Sequence, residues 1–319
     1  MSLRYIVPSL GLLACAASAS AVEVGGGLTI TGYVDTVLAI EDGDLVGDDT
    51  NIQWSAEANI GFGYELADGV SALIELDIDD GGNIDLGEAL ITWAINEQAY
   101  IAMGKTAIGY GLEATDPTGL YRVNTSIVRD FLQPQDTVGV TVGFVANEMF
   151  SASLTLANTF YDLGGQASDE FAVIAKAVFN MDDIGVFEAA LAYDMYDDDD
   201  VLGIDVSGLI TALDDMNLTL GFNVNYTDNG DDSVIGIMAM GNMKFDGAPV
   251  PMAATLMASY LMWDLDVADD QDWLEIAAAL LTQPTGDENF NLNLEVRYID
   301  QDDLDDSIGF FLEMLAIIP

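Results

Sequence analysis

Residues 52 to 66 run IQWSAEANIGFGYEL. Ile52, Trp54, Ala56, Ala58, Ile60, Phe62, Tyr64 and Leu66 take every second place, and Gln53, Ser55, Glu57, Asn59, Gly61, Gly63 and Glu65 take the places between. A period of two kept for this long is a β-strand with one apolar and one polar face. The same alternation returns at 138–144, 218–226 and 290–298. Such runs exceed the usual soluble strand of about 5–6 residues and suit the roughly 9–11 residues of a tilted membrane-spanning strand. Scanning outward gives sixteen candidate strands: 28–40, 52–66, 70–78, 84–95, 99–105, 137–146, 149–161, 170–181, 185–196, 202–212, 217–227, 234–245, 251–264, 271–282, 289–299 and 307–318. Short polar turns such as Ala67-Asp68-Gly69 and Asn96-Glu97-Gln98 alternate with longer acid-rich connections, the rhythm of an outer-membrane barrel. The expected fold is therefore all-β: a transmembrane antiparallel barrel of about sixteen strands with both termini at the short-turn end. Ala89 to Ile95 and Ala277 to Leu281 fit least well, being apolar on both faces. Those two segments suit a barrel only where they face a packed interior loop or a neighbouring subunit.

Composition narrows the chemistry. The 319 residues hold 55 Asp and Glu, 7 Lys and Arg, one Cys and no His. Without imidazole there is no ordinary neutral-pH proton shuttle and no histidine-bearing hydrolase triad or zinc site, so an enzyme is not expected. So few cations also argue against a nucleic-acid partner, because phosphate binding needs clustered Lys and Arg. Hydrophobic residues make up 51% of the chain, which argues for a folded body and against the disorder that high charge would otherwise bring. No apolar run of about 20 residues follows the first segment, so spanning helices are not expected.

Residues 1–21, MSLRYIVPSLGLLACAASASA, have one cation, an apolar stretch, and small residues flanking Ser20, the build of a cleaved export signal. Cleavage there leaves residues 22–319 as the barrel and removes Arg4 and Cys15, giving 7 − 1 = 6 cations and a net charge of 6 − 55 = −49. Leu12-Leu13-Ala14-Cys15 offers a competing lipoprotein reading.

Asp77 to Glu88, DIDDGGNIDLGE, places Asp77, Asp79, Gly82, Asp85 and Glu88 where a calcium-binding loop needs them. Upstream, however, Val70, Ala72, Ile74, Leu76 and Ile78 keep strand phase, and no incoming helix is available. The favoured reading is an external hairpin loop at 79–83, with Asp77, Asp79, Asp85 and Glu88 as weak calcium candidates and no cofactor otherwise. Further carboxylates at Asp42, Asp44, Asp48, Asp49, Asp197 to Asp200, Asp231, Asp232, Asp269, Asp270 and Asp302 to Asp306 read as a solvated anionic rim.

One connection breaks the rhythm of loop lengths. Thr106 to Asp136, TAIGYGLEATDPTGLYRVNTSIVRDFLQPQD, is long and carries Tyr110, Leu112, Leu120, Tyr121, Ile127, Val128, Phe131 and Leu132, so it is expected to pack against something. Over nearly the whole mature chain this organisation resembles the general porins of Gram-negative outer membranes: a signal peptide, sixteen strands and one long loop after the fifth. The resemblance implies that 106–136 folds into the barrel and narrows the pore. It places Glu113 and Asp116 as neck carboxylates beside Tyr110, Tyr121, Arg122 and Arg129, and it implies a homotrimer in the bacterial outer membrane. The chain departs from that family at its end, Ala316-Ile317-Ile318-Pro319 in place of an aromatic residue, and in lacking an arginine-rich wall.

Polar-phase positions supply the expected lumen wall: Glu57, Glu65, Glu75, Glu188, Asp194 and Glu295 among the acids, and Lys176, Lys244 and Arg297 among the bases, these three being open also to a snorkelling position near a strand end. The expected function is a passive channel for small hydrophilic solutes that prefers cations. Two alternatives stand beside it: a substrate-specific channel with Tyr110, Tyr121 and Phe131 as a contact track, and an acidic extracellular calcium-binding or adhesive β protein.

Overall fold

The computed structural model describes residues 22–43, 47–107, 110–114, 117–133, 136–159, 171–181, 183–196, 199–265, 271–302 and 306–318. The expected leader, 1–21, lies outside them. Seventeen strands form one sheet: β1 (Val22–Gly25), β2 (Leu28–Gly43), β3 (Gly47–Ala67), β4 (Val70–Ile78), β5 (Ile84–Ala94), β6 (Ala99–Ala107), β7 (Asp136–Asn147), β8 (Phe150–Ala157), β9 (Phe171–Met181), β10 (Gly185–Tyr196), β11 (Asp199–Ile210), β12 (Leu218–Asp228), β13 (Ser233–Lys244), β14 (Met252–Asp264), β15 (Gln271–Thr282), β16 (Phe290–Gln301) and β17 (Ser307–Ile318). From β2 onward each strand pairs antiparallel with the next, and β17 returns to pair with β2 through Leu312↔Leu38 and its neighbours. The sixteen strands β2–β17 thus close a barrel, and closure removes the unpaired edges that an open sheet would leave. β1 is a short hairpin partner of β2 that the alternation did not reveal.

The tight turns follow from local chemistry. Asp68-Gly69 joins β3 to β4 with Gly69 at φ 74°, and a bulge lies between Glu65 and Ala67. At the other end, Asp79 accepts from Asn83 N at 2.8 Å and Asn83 Nδ2 at 2.7 Å, closing the loop 79–83. Asp77 and Asp85 face one another across β4 and β5, so the segment is a hairpin and not a helix-flanked calcium loop.

The barrel is inside-out relative to a water-soluble one. Leu256 is 63% exposed and Trp54 59%, whereas Glu275 is wholly buried. Ile52, Ile91, Leu154, Val224, Ile276 and Leu294 are likewise exposed, and Asn223, Asn225, Ser207 and Glu313 buried. Leaving a large apolar side chain in water forfeits about 1.5–3 kcal/mol, and this chain exposes a belt of them on each strand from β2 to β17. Lipid is the medium in which that outer surface is stable, because each strand of the closed sheet has a hydrogen-bonding neighbour on both sides. Among the described residues no helix is long and apolar enough to cross a membrane.

Between β6 and β7 the chain leaves the wall. It forms a 3-10 turn, Pro117–Gly119, and one helix, α1 (Ile127–Leu132). Leu112, Ile127, Val128 and Leu132 pack with Leu209, Val234, Met238, Met240, Met257, Leu261 and Ala277 from β11, β13, β14 and β15. These wall residues lie on the side opposite the exposed belt, so the segment occupies the interior. Around Ala277–Leu281 of β15 one face meets lipid, while on the other Ala277 joins this interior core and Leu281 lies beside the turn Pro117–Gly119.

Candidate functional site

The interior segment is held by a cluster of charges around Arg122, 3% exposed. Its Nη1 lies 2.9 Å from Glu275 Oε1 on β15 and 3.1 Å from Glu295 Oε1 on β16, and its Nε lies 3.7 Å from Glu113 Oε1. Arg297 Nε adds a second cation 3.1 Å from Glu275 Oε1. The remaining carboxylate oxygens take backbone donors. Glu295 Oε2 accepts from Val123 N at 2.7 Å and Asn124 N at 3.1 Å. Glu275 Oε2 accepts from Ile127 N at 2.9 Å and from Ser259 Oγ at 2.7 Å. Glu113 accepts from both the backbone and the hydroxyl of Ser126, whose Oγ in turn caps α1 by accepting from Arg129 N at 3.1 Å. Two guanidiniums and a row of amides against three carboxylates make a latch between segment and wall. Two uncharged contacts extend it: Thr255 Oγ1 donates to Tyr121 O at 2.5 Å, and Gln133 Nε2 donates to Asn223 Oδ1 at 2.8 Å.

Glycine is required where the segment comes closest. A Cβ on Gly236 of β13 would lie 2.6 Å from Leu132 Cδ1 and 3.0 Å from Val128 Cγ1. One on Gly221 of β12 would lie 2.6 Å from Leu112 Cδ2.

On the far side of the segment the lumen opens into two cavities. One of about 450 Å³ is bordered by Lys244, Gln283 and Glu288 and opens at the short-turn end. The other, of about 360 Å³, is bordered by Asp35, Ser55, Glu57, Asp79 and Asp80. Pro117 and Leu120 border both, so the turn Pro117–Gly119 stands between them.

The sequence-selected residues fall into three sets. Glu113 and Arg122, expected to face the neck, are instead turned into the latch, where the Glu113 side chain is 9% accessible and the Arg122 side chain 2%. Arg129 is also buried, and Tyr110 packs among Ala157, Ala172, Ile174, Ala190 and Ala192. Tyr121 is partly buried against the core of the segment, and Asp116 lies outside the described residues. All of the expected wall residues are on the inward phase of their strands. Glu57 and Glu65 are accessible, and Glu57 accepts from Tyr33 Oη at 3.2 Å. Glu75 sits at a bulge between Ile74 and Leu76. Lys176 pairs with the buried Glu188 at 3.3 Å, and Asp194 is buried and accepts from Thr159 Oγ1 at 2.6 Å. Lys244 borders the turn-end cavity. The calcium candidates are dispersed: Asp77 accepts from Asn59 Nδ2 at 2.7 Å, Asp79 closes its own loop, and Asp85 is exposed and Glu88 half-buried on β5. The hydrogen bonds from Asn83 hold the Asp79 carboxyl below the usual range. Among the described residues no group of three or more carboxylates or thiols stands close enough to hold a metal. Of the anionic rim, Asp44, Asp197, Asp198, Asp269, Asp270, Asp303 and Asp305 lie outside the described residues.

Sequence reasoning missed Glu275 and Ser126 of the latch, and with them Ser259, Thr255, Gln133 and Asn223. Glu275 was legible only as one inward acid on a strand with two apolar faces, and its partner Ile127 is 148 residues away.

No protein-family model matches the sequence, and no curated protein matches it. Solved structures do. Against OprB of Pseudomonas putida the TM-score is 0.71 at 13% identity, over 91% of this chain and 94% of that one. The fold is that of an outer-membrane porin. An anion-selective porin from Comamonas acidovorans shares the porin fold at TM-score 0.66 and 12% identity, over 91% of this chain and 99% of that one. OmpT, an outer-membrane protein of Vibrio cholerae in a trimer form, matches at TM-score 0.67 and 13% identity, again over 91% and 99%. A porin fold that serves an anion-selective protein does not by itself set the sign of the ion preferred, which rests on the side chains of the lumen.

Proposed function

We propose that this chain is a diffusion channel of the bacterial outer membrane, passing small hydrophilic solutes and preferring cations. The observation that carries the reading is the inverted barrel: an apolar outer belt around an inner wall that buries Asp, Glu, Asn and Ser side chains and leaves cavities of about 450 and 360 Å³ bordering the turn Pro117–Gly119. Transport of this kind needs no catalytic group, and the chain acts as a non-enzyme. Its lumen has accessible carboxylates at Glu57 and Glu65, while the cations Arg122, Lys176 and Arg297 are each neutralised by a carboxylate. Fixed anions along a pore lower the barrier for cations and raise it for anions. A homotrimer accompanies this reading, supported by the trimer form of OmpT. Calcium held at the loop carboxylates would be rim-bound and without a part in conduction.

The test is reconstitution of the purified protein in a planar bilayer under a salt gradient. Stepwise current increments with a reversal potential of cation-selective sign are expected. A protein that inserts yet passes no current, or prefers chloride, contradicts the proposal.

One observation favours a narrower second reading, a channel for a particular solute class. Phe131 is 46% exposed and meets Trp263 and Trp273 edge-on, with ring centroids 5.9 and 4.9 Å away. Tyr110 is buried away from this cluster. Block of the current by sugars, lost in Phe131→Ala, would select that reading.

A further inference from the structure

The latch sets its carboxylates against guanidiniums, whereas the adjoining wall of β17, β2 and β3 does not. Glu313 of β17, Asp35 of β2 and Glu57 of β3 all point inward on neighbouring strands. Asp35 lies directly opposite Glu57, and Glu313 faces Val37, one inward position along β2 from Asp35. Asp35 is 6% exposed and Glu313 1%. Asp35 Oδ1 and Glu313 Oε1 have no hydrogen-bond partner among the described residues, although Glu313 Oε2 accepts from Asn293. Like charges directly opposite in a sheet are destabilising, and a buried carboxylate without a counter-charge is more so. No lysine or arginine among the described residues pairs with these three. Asp35 and Glu57 border the 360 Å³ cavity, across from Pro117, Leu120 and Thr125 of the interior segment.

Resting on the reading of the chain as a diffusion channel, we infer that Glu313, Asp35 and Glu57 form its cation-recognising station. The ligand is a small hydrated metal cation, alkali or alkaline-earth, taken from solution to supply the positive charge that the protein withholds. The ion keeps part of its water, because no three of these groups converge tightly enough to strip it. The two alternatives for the origin of selectivity make different demands. Glu113 is spent on Arg122 and Ser126, so it presents no free oxygen to the passage. Of the described rim acids, Asp231 is exposed and Asp232 partly so, and molar salt screens charges in open solvent over about 3 Å. Charges inside the wall are screened far less and act on an ion that has nowhere else to go.

The experiment measures reversal potentials of the full-length mature channel in planar bilayers under gradients of potassium chloride, at low and at molar salt. It compares the wild type, Asp35→Asn/Glu57→Gln/Glu313→Gln, and the rim variant Asp231→Asn/Asp232→Asn. At molar salt the wild type and the rim variant should stay cation-selective, and the wall variant should move toward zero potential. Single-variant Glu57→Gln, on an accessible side chain, should show a smaller shift of the same sign and serves where the triple variant fails to insert. A conducting wall variant that keeps the wild-type potential, or a rim variant that alone loses it, overturns the inference and leaves the channel reading standing. A wild-type protein that inserts without conducting removes both.

Discussion

Two adjoining arcs of this barrel, β11–β16 and β17 with β2–β4, are made from the same alternating strands and treat inward-facing residues in different ways. In the first, inward positions are filled by Met238, Met240, Met257, Leu261 and Ala277, and the nearby acids Glu275 and Glu295 are matched by Arg122, Arg297 and backbone amides. In the second, Asp35 and Glu313 keep unpartnered oxygens and Glu57 faces a cavity. The difference teaches that burial of charge here follows what stands across the lumen. Where the interior segment docks, Glu275 and Glu295 meet guanidiniums and backbone amides. Beside it, Glu57 and Glu313 have neutral partners, Tyr33 and Asn293, and among the described residues no cation pairs with them or with Asp35. The first arc is built like a protein core and the second like a binding surface.

The comparison breaks most visibly at Arg122. Arg122→Met keeps much of the side-chain volume but leaves Glu113, Glu275 and Glu295 facing one another with Arg297 as the remaining cation of the cluster. Removing one partner of a buried charge cluster costs about 3–5 kcal/mol. Denaturant unfolding in detergent should show that loss, and single-channel records should become noisy or larger as the segment detaches. On the open arc Glu57→Gln should change stability by no more than about 0.5 kcal/mol. Equal costs at the two sites would mean that the latch and the open wall are not distinct environments.

Shape gives a second, smaller contrast. Gly236→Val places a side chain where Leu132, Val128 and Leu261 already lie, and overpacking of that kind costs about 1–3 kcal/mol. On the open arc a Cβ at Gly61 would clash with Thr31 Oγ1 and lie 3.2 Å from Glu75 Oε1, so Thr31 must turn to another rotamer. Gly61→Ala should lower stability in the same unfolding assay without loosening the segment, and protease cleavage within 110–133 should accelerate only in Gly236→Val.

Much of this was legible in the sequence, and the limits have physical causes. Period two in stretches such as Ile52–Leu66 places β3 and its relatives within a few residues, because one face meets lipid and the other polar surface. The same rule weakens where both faces are apolar, as at Ala277–Leu281, since periodicity records that a residue is covered but not by what. β1 escaped because four residues ending in a glycine turn hold too few alternations. The inward phase of Glu57, Lys176, Glu188 and Arg297 could be read from parity alone. Their partners could not: Arg122 meets Glu295 across 173 residues of sequence, and nothing local to either announces the other. Hence Glu113 looked like a neck carboxylate, while the pairing that spends it on the latch became visible only in three dimensions.

The smallest expected effect tests that reassignment of Glu113. Burial pushes its carboxyl above the ordinary carboxylate value of 4.5, against the opposing pull of Arg122 and the Ser126 hydrogen bonds. The sign follows from linkage. In the window just above 4.5 the folded chain holds this proton more tightly than the unfolded chain, so the contribution of Glu113 to stability is largest at the acid end and is lost as pH rises through its folded value. The many other acids give the whole protein a trend of the same direction through self-repulsion, so the informative quantity is the difference between two proteins. Glu113→Gln, which keeps an oxygen for Ser126 N, should melt with a shallower dependence on pH than the wild type between pH 4.5 and neutrality. An accessible Glu113 standing in the passage would titrate near its ordinary value, and the two curves would then run parallel above it.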